Sequence, residues 1–106
     1  MIYVVDIDDT ICTSFTGEDG SRQYDKAEPL PGRIEAINKL HDAGETIIYW
    51  TARGSSTGLD WAELTKNQLD SWGCKYKELW MGKPSYDIWI DDKAINSDMY
   101  FTGALQ

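Results

Sequence analysis

Basic residues are scarce in this sequence: ten Lys and Arg stand against eighteen Asp and Glu, a formal charge of −8. That balance argues against non-specific binding to nucleic acid or to an anionic membrane surface, both of which need a basic patch. Long apolar runs are missing too, so no stretch reads as a membrane-spanning helix or as an export signal. Met1 leads straight into the first predicted strand, and the chain is therefore expected to be an intact cytoplasmic protein that starts at its own initiator. Two cysteines, Cys12 and Cys74, supply neither a disulfide framework nor a zinc centre. Both are expected as reduced thiols. The one histidine, His41, falls in a helical pattern, which leaves Cys12 without a base to activate it. With 106 residues there is room for one core, hence one domain spanning 1–106.

What the chain does have is a concentration of aspartate at one place. The apolar run Ile2 to Val5 reads as a strand buried on both faces at the centre of a parallel sheet. It ends in Asp6, Asp8, Asp9 and Thr10. Asp is depleted in strands and neighbouring like charges repel, so strand formation does not explain the cluster. A hard cation at the carboxyl end of a central strand would.

Residues 11–28 lose periodicity and gain turn formers, and they are expected to form a flap, with a small hairpin as one possible form. Arg22 and Lys26 are its basic residues. Arg33 to Ala43 carries Ile34, Ile37 and Leu40 on one helical stripe, and Gly44 is the expected stop. Glu45 to Trp50 is a second strand ending in Thr51-Ala-Arg53. Asp60 is placed as an N-cap for a helix that carries Trp61, Leu64, Leu69 and Trp72. Lys77 to Trp80 is a short third strand, and Tyr86 to Ile90 a fourth, ending in Asp91-Asp92. From Lys93 to Gln106 the pattern allows either a helix or an edge strand. This alternation predicts an α/β fold with right-handed crossovers and a parallel sheet covered on both faces, its functional groups at the strands' carboxyl ends.

Those ends hold a consistent inventory. Asp6, Asp91 and Asp92, if they converge, offer the oxygen donors that Mg²⁺ accepts, and Cys and His for softer metals are absent there. Asp6 could attack phosphorus to form an aspartyl phosphate. Asp8 could protonate the leaving oxygen and later deprotonate water. Thr51 and Lys83 could each hold a phosphoryl oxygen. Arg53 is a further candidate, for contact with substrate phosphate or for bracing its loop, and Asn96 for bracing the acid pair.

Asp6-Ile-Asp-Asp-Thr10 resembles the DxDx[TV] first motif of the haloacid dehalogenase (HAD) superfamily. Thr51, Lys83 in Gly82-Lys-Pro84, and Asp91-Asp92 are similar to its second, third and fourth motifs, in that order. The resemblance implies a Rossmann-like three-layer sandwich and Mg²⁺-dependent phosphoryl transfer. It implies Asp6 as nucleophile and Asp8 as acid/base, with Asp8 lending its backbone carbonyl to the metal. The second acid is what similar phosphatases carry, which disfavours dehalogenation. The chain has no room for a cap domain. Similar capless members act on bulky phosphates or are covered by a neighbouring subunit, so a homo-oligomer is open.

The expected substrate is a sugar phosphate, a nucleotide or another phosphorylated metabolite. A polynucleotide 3′-phosphatase-like activity stands as an alternative, as does a non-enzymatic HAD-like binding or assembly module built on five tryptophans and six tyrosines. A receiver-type signalling domain also sets acids, Thr and Lys on a parallel sheet, but there no acid pair follows the Lys.

Overall fold

The structure, a computed structural model, describes residues 1–103. In chain order it runs β1 (Ile2–Val5), a 3-10 turn (Tyr24–Lys26), α1 (Pro31–Asp42), β2 (Thr46–Trp50), α2 (Ala62–Ser71), β3 (Glu78–Trp80) and α3 (Ser97–Thr102). The three strands form one parallel sheet in the order β1-β2-β3. Val5 lies beside Tyr49 and Trp50 beside Trp80. The three strands therefore end at nearly the same level. Asp6, Thr51 and the Met81-Gly-Lys83 turn all leave the sheet along one edge.

Local chemistry accounts for the helices. Pro31 opens α1, where its missing N–H costs nothing, and Ile34 and Ile37 turn inward. Gly44 follows at φ 98°, a conformation that suits glycine, and releases the chain into β2. The N-cap of α2 is Trp61 and not the expected Asp60, which stands one residue earlier, though its Oδ1 accepts from the Ala62 N–H at 3.0 Å and so satisfies an orphan donor. Asn96 caps α3 by accepting from the N–H groups of Asp98 and Met99, a structural use and not a brace for the acid pair. The helix alternative for the last stretch thus holds over Ser97–Thr102, and residues 104–106 lie outside the described residues. The flap contains a small hairpin around the Thr16–Arg22 bridge, and Cys12–Pro29 pairing closes its base.

Two expectations about the sheet need correction. Both long helices lie on one face. The single core joins Tyr3, Val5, Ile47, Tyr49 and Leu79 of the sheet to Ile34 and Ile37 of α1 and Leu69 of α2. The cause is topological: a strand order that advances in one direction through right-handed crossovers puts successive helices on the same side. Among the described residues the sheet and helices make two layers, not three. β1 is accordingly an edge strand, with Ile2 69% and Val4 52% exposed, and not a central strand buried on both faces.

The fourth strand does not form. Tyr86 to Ile90 is irregular, and Ile88 and Ile90 face solvent. The rings of Tyr86 and Trp89 lie 5.0 Å apart, a contact between residues three apart that extended backbone, with its alternating faces, does not allow. Trp89 packs edge-on against Trp50 instead. Among the described residues no helix is long and apolar enough to cross a membrane.

One core residue carries a polar cost. The Tyr49 hydroxyl is buried without a hydrogen-bond partner. An unmet buried donor costs about 1–3 kcal/mol. Tyr49→Phe is therefore expected to stabilise the fold by about 1 kcal/mol in urea unfolding. A loss of that size would show that the hydroxyl is bonded after all.

Candidate active site

The end of β1 is shaped by two buried isoleucines. Ile7 and Ile11 are fully buried, and the Ile7 carbonyl accepts from both Thr10 and Ile11 N–H groups. The chain turns through Asp9, which adopts φ 61°, a left-handed conformation that Asp tolerates better than most residues. Asp9 then serves the turn, its carboxylate accepting from Ser14 Oγ at 2.8 Å. Asp6 and Asp8 flank the buried Ile7.

Asp6 meets Lys83. Its Oδ1 lies 3.7 Å from Lys83 Nζ, an ion pair longer than a hydrogen bond. Burial pushes the Asp6 pKa above its usual 3.8, and the Lys83 charge opposes that rise. Lys83 is held from both ends. Its N–H donates to the Thr51 carbonyl at 3.0 Å, and its own carbonyl accepts from Ser55 Oγ at 2.7 Å. Its ammonium sits 5.3 to 5.9 Å from the ring centres of Trp50, Tyr86 and Trp89. The three rings form a seat with negative faces for the cation. Sequence reading placed Lys83 but missed the seat, because its rings come from two distant segments, Trp50 at the end of β2 and Tyr86 with Trp89.

Thr51 is buried at the end of β2, and its Oγ1 accepts from the Arg53 N–H at 3.1 Å. Gly54, at φ 82°, follows where any side chain would run into the Leu59 carbonyl. That tight turn sends Arg53 inward. Of the two uses expected of Arg53 the structure shows the bracing one, because its side chain is wholly buried and its donors are spent on protein. Nε donates to Asp8 Oδ2 at 3.0 Å and Nη2 to Asp8 Oδ1 at 2.9 Å. Nη1 donates to Thr65 Oγ1 and Gln68 Oε1, and the Tyr24 ring covers the guanidinium at 4.9 Å. The signal in the sequence was Thr65, a polar residue on the inward stripe of α2 next to Leu69.

Cys12 closes the cluster. Its Sγ lies 3.5 Å from Asp8 Oδ1, and burial, with the Asp8 charge adding to it, pushes the thiol up to about 12. It is not a nucleophile at neutral pH. His41 stays on the surface of α1 beside Asp42.

Asp91 and Asp92 are exposed, and they do not join Asp6 in the expected cage. Asp91 Oδ1 accepts from the Lys93 N–H at 2.7 Å, and Oδ2 from Trp89 Nε1 at 3.3 Å. Among the described residues no group of three or more His, Cys, Asp or Glu is placed to hold a metal. With Asp91 and Asp92 exposed and Asp91 bonded locally, the carboxylates expected around Asp6 do not fit Mg²⁺ as arranged. The missing fourth strand is the physical reason, since it was the element that would carry the acid pair to the sheet's edge.

The pH dependence of any reaction that uses ionised Asp6 follows from these neighbours. A raised pKa means that the carboxylate is lost as pH falls through a value above 3.8, so the acid limb of kcat/KM should lie above the usual Asp range. Lys83→Met removes the charge that opposes the rise. The limb should then move to higher pH, and a limb that stays in place would separate Asp6 from Lys83.

No protein-family model matches the chain, and no curated protein matches it. Among solved structures, the chain is similar to a structural-genomics target from Vibrio cholerae, with a TM-score of 0.78 at 23% identity. The match covers 95% of this chain and 87% of that one. At that identity the likeness carries the fold, a small α/β domain with an open parallel sheet of Rossmann-like layout.

Proposed function

We propose that this chain is a phosphomonoester hydrolase of the HAD type, acting through an aspartyl phosphate on Asp6. The observation that carries the reading is the Asp6–Lys83 pair at the carboxyl edge of the parallel sheet, with Asp8 two residues on. In the first step an Asp6 oxygen bonds to phosphorus, the ester P–O bond breaks, and Asp8 gives its proton to the departing oxygen. In the second, Asp8 takes a proton from water as that water attacks phosphorus and frees Asp6. Lys83 balances charge on the phosphoryl oxygens, aided by a seat that leaves its side chain only 13% exposed. Mg²⁺ enters the proposal from the acidic residues of the sequence alone, and no step above is routed through it.

Sugar phosphates and nucleotides are the proposed substrates. Trp80, Tyr86 and Trp89 are partly exposed near Lys83, and a pocket of about 190 Å³ whose lining includes Arg53, Gly54, Leu59, Asp60, Trp61 and Met81 lies beside the same turn. Rings of this kind suit a sugar or base. A second reading, an assembly module, is favoured by exposed Ile2, Val4, Ile88 and Ile90.

Phosphate release from sugar phosphates, nucleotides and a 3′-phosphorylated oligonucleotide, with Mg²⁺ and with excess chelator, tests the reading. Asp6→Asn should lower turnover by more than about 10⁴-fold with the fold intact. Activity retained in that variant would sink the nucleophile assignment. No turnover by the wild type, together with self-association, would favour the assembly module.

A further inference from the structure

We infer that Arg53 is a positioning residue for Asp8, fixing the acid/base carboxylate in the orientation from which it protonates the leaving oxygen. The inference rests on the phosphatase reading of the site. A guanidinium has five N–H donors in a rigid fork, and here all five are accounted for. Two meet the Asp8 oxygens at 3.0 and 2.9 Å, two reach Thr65 and Gln68 at 3.1 and 2.6 Å, and the last lies toward Cys12 Sγ at 4.0 Å. Gln68 is fixed in turn, its Nε2 donating to the Tyr24 carbonyl at 2.7 Å.

Arg53 therefore has one orientation, set jointly by α2, the flap turn and the core. It passes that orientation to Asp8 through a two-point contact, which fixes the carboxylate plane as a single bond would not. An ionised carboxylate has about four acceptor sites. Arg53 takes two and the Cys12 thiol one, which leaves a site for the catalytic proton on a side chain still 16% exposed. Asp8 is steered without being saturated.

Leaving-group dependence separates this role from a merely structural one. An alkyl phosphate expels a poor leaving group and needs the acid, whereas 4-nitrophenyl phosphate expels a stable phenolate and does not. kcat/KM reports the first half-reaction, in which that proton moves. Arg53→Lys keeps the charge but loses the fork. It should lower kcat/KM for the alkyl ester about 10²-fold and change the aryl ester by less than about threefold. Asp8→Asn should show the same selectivity. Gln68→Ala, which removes one brace and keeps the cation, should shift the ratio in the same direction by a smaller factor, and it carries the test if Arg53→Lys does not fold. Equal losses on both esters in the Arg53 and Gln68 variants, beside a selective loss in Asp8→Asn, would overturn the role of Arg53 alone. Equal losses in Asp8→Asn, or full activity in Asp6→Asn, would overturn the phosphatase reading and this role with it.

Discussion

A guanidinium removed from water must be paired, and the structure around Arg53 follows from that requirement. Stripping an ion of solvent costs several kcal/mol even after relaxation, and leaving one partner alone in such a pair costs about 3–5 kcal/mol. Asp8 supplies the opposite charge, Thr65 and Gln68 satisfy the remaining donors, and Tyr24 covers the flat face. Four parts of the chain thus meet at one side chain: the end of β1, the turn after β2, α2 and the flap. The flap is anchored there by its 3-10 turn, and its hairpin tip is held by its own backbone bonds, such as Gly17 N–H to the Ser21 carbonyl at 2.8 Å.

The same constraint sorts the two aspartates. Asp8 belongs to the core side of the strand end and is bonded to a fixed cation. Asp6 belongs to the open side, 38% exposed, and faces a lysine whose ammonium is held by rings and not by carboxylates. Two acids separated by one buried isoleucine thereby acquire different surroundings.

How much of this was legible depended on the range of the forces involved. β2, β3 and both long helices were readable because their signals are local: Ile34 and Ile37 at helical spacing, β-branched runs between turn formers, Gly44 at a helix end. The meeting of Asp6 with Lys83 was readable from order alone, since parallel strands in register end at one edge. The direction in which Arg53 points was not, because a residue two past a strand end can face either way. Only Gly54 and the polar Thr65 opposite it carry that information. The segment 86–90 has the composition of a strand, but composition does not supply a partner. Trp89 gains a ring contact with Trp50 and a bond to Asp91 in the irregular form.

That last choice bears on the whole carboxyl edge. Trp89 and Tyr86 make two of the three rings around Lys83, and they do so because their backbone is not extended. The arrangement that seats the lysine is thus the one that holds Asp91 in its local turn, away from Asp6. Pairing 86–90 along the open side of β1 would satisfy the free backbone groups of that edge and move the rings off the ammonium. The edge of this sheet therefore balances a cation seated in aromatic rings against apolar surface left in water. Exposed Ile88 and Ile90 are the cost of the first arrangement.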